Sequence, residues 1–337
     1  MTDNPLRINL THPEWYIKET MVYPPFKEGL YLEEYFFNKM MVTKNDPNSF
    51  ERCSSELEGF PTKASLPTKN TPVVDGQGRT YLPLFWTNYQ LSKESNYDHL
   101  STAIEEYMQT YPPVHPDKGY FTLVQYDDGP LVQHPKMYVY GSCKGHTPLP
   151  LIYEDRNQTL IRQPRPPLNQ KSMLCSFVGS NTHHVRKIML DTLSREQLHN
   201  PDVYIYVQNW TPAVSPPAAN HFIEVTRHSK FTLAPRGYGV QSFRFYEAFE
   251  LGSIPVYIHD QEKTDSKTNL WLPYQDRIDY HKICIIWHVD DMDTLIPYLR
   301  SITQVQYHQM QANYHNIKQM FTLDYMCESI LHGPHST

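Results

Sequence analysis

Apolar residues fall along the chain in short runs separated by polar turns rich in proline and glycine. Residues 31–41 place aromatic and apolar side chains on one side of a helix. Residues 1–30 look irregular, and residues 43–79, rich in Lys, Asn, Ser, Pro and Gly, predict a long surface loop. A strand containing a proline is expected at 80–86 and a helix at 100–111. The run 121–126 predicts a strand that stops at the turn Asp127-Asp128-Gly129-Pro130. Another short strand is expected at 137–140. The proline-rich polar stretch 157–171 reads as an interdomain linker.

The second half is more regular. A buried strand at 173–178 ends in Gly179-Ser180-Asn181, and Thr182 is placed to cap a helix running to about 194. Strands follow at 203–207, 231–234, 254–258 and 283–287, with helices at 221–229, 242–251 and 291–302 between and after them. Gly252 supplies a helix stop. Strands alternating with helices predict an α/β fold with a parallel sheet and right-handed crossovers. In such sheets a ligand sits at the carboxyl ends of the strands. Each polar turn named here follows a strand, so all are candidates for one cleft.

At 337 residues the chain has room for about two domains. With 39% apolar and 20% charged residues it can build real cores, which excludes wholesale disorder, a collagen repeat or a coiled coil. The net charge of −6, with no long basic run, disfavours general nucleic-acid binding. The 25 tyrosines offer flat faces with polar tips, suited to packing and to carbohydrate recognition. No window approaches a membrane span, and residues 1–16 carry no apolar segment of a signal peptide. Cys53, Cys143, Cys175, Cys284 and Cys327 are widely spaced and odd in number, so reduced, packed thiols are expected. Sequons at Asn9, Asn157 and Asn209 carry little meaning without an export signal.

The richest stretch is KFTLAPRGYGVQSFRFYEAFELGSIPVYIHD, residues 230–260. A buried strand delivers Arg236 at its carboxyl end. Gly237 and Gly239 follow, so backbone can approach a ligand closely. Ser242 opens a helix whose free N–H groups favour an anion. Arg244 lies in the first turn, where a cation opposes the helix dipole; an outside anion such as a diphosphate would explain it. Glu247 shares its face and is placed to accept two ribose hydroxyls. Phe245, Ala248 and Phe249 are expected to face the core. The plainer alternative is an i,i+3 ion pair between Arg244 and Glu247.

This stretch resembles the donor-site motif of the exostosin family, glycosyltransferase family 47: Pro-Arg-Gly, then Ser-Phe-Arg-Phe-x-Glu-Ala, then Gly-x-Ile-Pro-Val. Upstream, CSFVGSNTHHVRKIML resembles that family's Phe-x-Gly loop and its arginine-bearing helix, with Arg186 in that position. FTLVQYDDGP and HTPLPLIYED resemble segments of its N-terminal half. The resemblance is strong over 170–300 and loose over 80–155. It implies a GT-B architecture, two Rossmann-like domains facing across a cleft. Residues 1–165 would form the acceptor side, 166–310 the nucleotide-sugar domain and 311–337 a C-terminal helical segment.

The resemblance further implies an inverting transfer from a UDP-sugar to a glycan or glycosylated acceptor, with no metal or other cofactor. Carried over by position, Arg236 and Arg244 would neutralise the diphosphate, with Ser242 at the helix start, and Glu247 would hold the ribose. Gly179, Ser180 and Gly237 would admit the phosphates to the backbone, with Arg186 behind them. Family members usually carry an N-terminal Golgi membrane anchor. This sequence shows none, so a cytoplasmic chain is expected, for instance one encoded by a large virus, or a Golgi-lumenal one whose anchor was removed.

An inverting transfer also needs a general base. Asp127 and Asp128 end a strand of the N-terminal half, and only one of two adjacent carboxylates is expected to serve. Capping of the turn is their alternative role. His146 is the second candidate. Asp291 and Asp293 have metal-site spacing, but helix capping explains them. His183 and His184 are adjacent and make poor joint metal ligands. Two rival readings remain at this stage. One is a carbohydrate-binding or partner subunit without turnover. The other is a nucleotide-sugar enzyme of another reaction type, although no GxGxxG follows the first strand of either half.

Overall fold

The computed structural model describes residues 29–42, 72–91, 97–211, 214–261 and 270–333. Most of the expected 43–79 loop, the first 28 residues, Cys53 and Asn9 lie outside them. The chain divides into two compact units. Among the described residues, Leu30–Thr147 and the stretch from Leu323 form the first, and Pro148–Thr322, with Gly29, forms the second. The contact boundary falls at Thr147/Pro148 in place of the expected 165/166. No separate segment begins at 311, because that residue lies inside a helix of the second unit.

One sheet has the order β1-β2-β3-β4: Thr80–Tyr81, Tyr120–Val124 and Met137–Gly141 of the first unit, and Thr147–Pro148, whose second residue opens the second unit. The pairs β1·β2 and β2·β3 are parallel. Helix α1, Leu32–Phe37, runs into a π-helical turn at Asn38–Val42. The strand expected over 80–86 is cut to two residues. Pro83 has no N–H for the ladder, and a helix, α2 (Trp86–Leu91), starts directly after it. The Trp86 indole then donates to Thr122 Oγ1 at 2.9 Å. Helix α3, Tyr97–Thr110, packs Leu100 and Ile104 into a core shared with Leu82, Trp86 and Val124. The last helix of the chain, α9 (Leu323–His332), returns to this unit. Its Asp324 accepts from Tyr35 Oη at 2.8 Å and Lys39 Nζ at 2.6 Å.

Glu33 is a buried carboxylate that holds this unit together. It accepts from Thr87 N at 3.0 Å, Thr87 Oγ1 at 2.8 Å and Gln125 N at 2.8 Å, so α1 clamps the start of α2 to the end of β2. Burial pushes its pKa up to about 7, against the hydrogen bonds that favour the charged form. A raised carboxylate pKa means the folded chain holds a proton that the unfolded chain releases near 4.5. Its contribution is therefore fully present below about 4.5 and falls as pH rises to about 7, a span worth roughly 3 kcal/mol. Melting temperature is expected to fall between pH 5 and pH 8, and Glu33→Gln to flatten that slope. Parallel slopes in the two proteins would refute the assignment. The lowered carboxylates Asp202, Asp260 and Asp324 titrate below this window, whereas His183 and Lys171, lowered by burial, add slope of the opposite sign, so the difference between the two proteins is the readout.

The second unit is a parallel sheet of order β6-β5-β7-β8-β9. Its strands are Met173–Gly179 (β5), Val203–Val207 (β6), Ser229–Pro235 (β7), Ile254–His259 (β8) and Ile285–His288 (β9). β5, β7 and β8 are buried almost throughout, as strands covered on both faces must be. Helix α4, His184–His199, and helix α7, Met292–Ser301, bury Val185, Met189, Leu193, Leu295 and Leu299 in the main core. Ile223 of α5, Pro216–Arg227, forms a smaller cluster with Leu160 and Leu251. Helix α8, Gln304–Ile317, lays Tyr314 flat on Phe249 of α6, Phe243–Glu250, with ring centroids 4.0 Å apart.

Three helix ends differ from expectation. His183 caps α4 in place of Thr182, accepting from Val185 N at 3.3 Å, and the helix runs on to His199. Helix α5 begins five residues early, because Pro216 and Pro217 fit its first turn, where no N–H is needed. Asp291 occupies the N-cap of α7, but its side chain makes no capping hydrogen bond. The expected core positions Phe245, Ala248 and Phe249 are buried, and the four described cysteines are buried and outside any disulfide. Among the described residues no helix is long and apolar enough to cross a membrane.

Candidate active site

The strand order fixes where a ligand can enter the second unit. The chain leaves β5 toward β6 on one side and leaves β7 toward β8 on the other, so a crevice opens at the carboxyl ends of β5 and β7. The loops at that crevice are the two singled out in the sequence, after Gly179 and after Pro235.

Arg186, in the first turn of α4, ties these loops together. Its Nε donates to Arg236 O at 2.9 Å and its Nη1 to Ser180 O at 3.0 Å, and the side chain is buried. It sets the spacing of the crevice walls. A Cβ on Gly237 would lie 2.9 Å from Arg186 Nη2, which accounts for that glycine. Arg236 is anchored by Asp260 Oδ1 at 3.1 Å and by the Tyr238 carbonyl at 3.2 Å. Burial would raise the Asp260 pKa, but the bond and charge of Arg236 hold it below the usual carboxylate range.

Arg244 crosses from the first turn of α6 to β5. Its Nη2 donates to Val178 O at 2.7 Å, and its guanidinium lies 4.9 Å from the Phe177 ring centre. A Cβ on Gly179 would come within 2.5 Å of that same Nη2, so only glycine leaves the guanidinium its place. The Arg244 Nε is buried with no hydrogen-bond partner, and among the described residues no carboxylate forms an ion pair with this arginine. Burial lowers its pKa, opposed by the charge of Glu247. Glu247, nearly buried, accepts from Tyr153 Oη at 2.6 Å. Burial, then the Glu247 charge, drives the Tyr153 phenol well above its ordinary pKa. Ser242 is the N-cap residue of α6, yet its hydroxyl makes no capping bond.

His183, His184 and Asp260 present ligand-type atoms within 4.8 Å of one another. His184 Nε2 stands 3.2 Å from Asp260 Oδ2. The neighbours Arg236 and Arg186 oppose a further positive charge here. Burial, then Arg236, His184 and Arg186, lowers the pKa of His183, with Asp260 opposing. This grouping was not foreseen, because Asp260 arrives from β8. Asp291 and Asp293 are not part of it.

Gly179, Ser180, Arg186, Arg236, Gly237, Ser242, Arg244 and Glu247 all belong to the second unit, and the two loops that flank its crevice are joined through Arg186. Asp127, Asp128 and His146 belong to the first. Asp127 is half-buried and accepts from the Cys143 thiol at 3.7 Å, whereas Asp128 is exposed. Gly129, at φ +77°, closes their turn by donating to Tyr126 O at 3.0 Å. His146 Nδ1 accepts from Val139 N at 2.9 Å. A neutral ring bonded this way carries its proton on Nε2 and donates there, which does not suit a general base. Tyr153 is the partner that sequence reading missed. It lies 94 residues from Glu247, with no local pattern linking them.

A doubly wound α/β domain with a cationic crevice at its switch point is a nucleotide-site architecture of broad occurrence. Comparison with known proteins narrows the class. Residues 138–302, just under half of the chain, match the exostosin GT47 domain. Two proteins of Arabidopsis thaliana, each described as a probable glycosyltransferase, are 26% identical over 165 residues and 27% identical over 168 residues. These stretches cover 49% and 50% of this chain but only 28% and 30% of the relatives. The chain therefore aligns to less than a third of the length of the curated relatives it matches.

Proposed function

We propose that this protein transfers a sugar, with inversion, from a UDP-sugar to a glycan or glycosylated acceptor. In this reading the chain is a GT-B enzyme. Its second unit holds the donor, and its first unit supplies the acceptor side and the general base. The observation that carries the reading is Arg244. A mostly desolvated guanidinium without an ion pair is costly unless a negative group arrives. A diphosphate at the carboxyl ends of β5 and β7 is that group, and its charge grows as the bond to the sugar breaks, so the same contact is catalytic. Arg236 supplies a second positive charge. Glu247, already fixed by Tyr153, is the acceptor for ribose hydroxyls.

Titration calorimetry with UDP and UMP tests the donor site, and UDP is expected to bind much more tightly. Equal affinity, or none, would sink the reading. Two arginines and a helix N-terminus already meet the diphosphate, so EDTA is expected to leave transfer within a few-fold of the untreated rate. Activity lost in EDTA and restored by Mn²⁺ would show that protein charge alone does not suffice.

A further inference from the structure

The amino ends of β1, β2 and β3 are level, because Thr80 pairs with Tyr120 and Tyr120 with Met137. Each strand is entered from a basic residue. Arg79 precedes Thr80, Lys136 precedes Met137, and Lys118 stands one glycine before Tyr120. Parallel pairing therefore gathers three cations at one end of the sheet, opposite the end that carries the Asp127–Asp128 turn. Two adjoining cavities of about 210 and 490 Å³ share Pro135, Met137 and His146 as lining; the smaller opens at this end, and the larger reaches Pro130, the last residue of the Asp127–Asp128 turn. Lys144 adds a fourth cation to the larger one. Asp117 is the single carboxylate among the lining residues of both, paired with Lys118 at 3.5 Å. A chain of net charge −6 thus concentrates positive charge in one groove.

The groove also has an ordered wall. The Arg79 guanidinium stacks on the Tyr138 ring, 3.5 Å from its centre, and is fixed by the buried Asp75 at 3.1 Å. His146 stacks on Tyr138 at 4.7 Å with an interplanar angle of 22°, and its own ring is exposed. The hydrogen bond to Val139 N holds that ring in place. His146 is thus a flat, polar-edged platform between the two cavities. Lys118, Lys136 and Lys144 are exposed and project where chain-like anions can reach them.

We propose that this groove of the first unit binds an acidic glycan chain, bearing uronate or sulfate groups, through residues other than those of the donor site. The lysines meet the acidic groups and the His146 ring packs against a sugar face. Polyanions other than glycans would satisfy the lysines. The choice of a glycan rests on the glycosyltransferase domain in the same chain and on the aromatic–imidazole platform. It does not depend on which donor the second unit takes.

The test is calorimetry on the full chain with four probes of matched length. These are an oligogalacturonate, a sulfated oligosaccharide, a neutral cello-oligosaccharide and single-stranded DNA. An acidic glycan is expected to bind, with affinity falling as salt rises, and the neutral chain not to bind. Which acidic probe wins identifies the group recognised. The double reversal K118E/K136E is expected to weaken binding at least tenfold with melting temperature and UDP affinity unchanged, since both side chains are exposed. His146→Ala should weaken it further. No binding of either acidic glycan, or unchanged binding by K118E/K136E, would overturn the proposal. DNA bound as tightly as the glycan would overturn the glycan assignment. UDP affinity measured on the same samples reports the donor site separately.

Discussion

Replacing Arg244 with alanine is expected to weaken UDP binding by about 10²-fold or more while leaving the fold intact. Losing one partner of a desolvated charge pair costs about 2–5 kcal/mol, and each 1.4 kcal/mol is about tenfold in affinity. Stability should move little, because two effects oppose each other. The variant loses the 2.7 Å bond to Val178 O and the stack on Phe177. It also removes a desolvated positive charge that has no ion pair among the described residues. Gly179→Ala probes the same contact with the charge kept. The new methyl would press on the far end of the Arg244 side chain, so the guanidinium must move while the fold survives. It should weaken UDP in the same direction, by less. If calorimetry finds wild-type affinity in Arg244→Ala, the arginine is a strut between α6 and β5, and the donor site lies elsewhere.

The motif around Arg236 and Arg244 was legible because its parts are contiguous. Strand, glycine turn and helix follow one another within thirty residues, and each has a local signature. The parallel sheet was legible for the same reason, since buried strands of this kind are unbroken apolar runs. What the sequence hid was pairing over distance. Arg186 was expected behind the phosphates, and two of its donors go to the carbonyls of Ser180 and Arg236, a role set by which loops become neighbours. Tyr153 on Glu247 and Asp260 between Arg236 and His184 are likewise products of topology. His146 was singled out by residue type alone. Its fixed Nδ1 and its stacking on Tyr138 emerge only once β3 turns back on itself. Helix ends failed where two rules competed, as at Pro216, which reads as a breaker in a loop and as a starter at the first turn of a helix.

Asp127→Asn is expected to cut sugar transfer by about 10²- to 10⁴-fold, the range for a removed general base, while Asp128→Asn is expected to be mild. The structure separates two residues that the sequence could not. A base must hold its carboxylate in a fixed place with part of its hydration removed. Asp127 is half-buried against the Cys143 thiol, whereas Asp128 is exposed at the tip of the turn. Both carboxylates add to the burial that raises the Tyr126 phenol, so they share one small neighbourhood, and the contrast between them is one of exposure. Asparagine keeps the shape of aspartate and most of its hydrogen bonding, so the pair of variants tests charge. UDP affinity should stay at the wild-type value in both, because the donor residues belong to the second unit. A capping role predicts a different pattern: a lower melting temperature and activity reduced only in proportion to unfolding. The turn itself is closed by backbone, from Gly129 N to Tyr126 O at 3.0 Å, and Gly129 holds the positive φ that it needs. Its stability therefore does not hang on either side chain, and a large loss of transfer at an unchanged melting temperature would be chemical. Near wild-type transfer by Asp127→Asn would remove this carboxylate as the base, and a large loss confined to Asp128→Asn would show that exposure is no guide to the role.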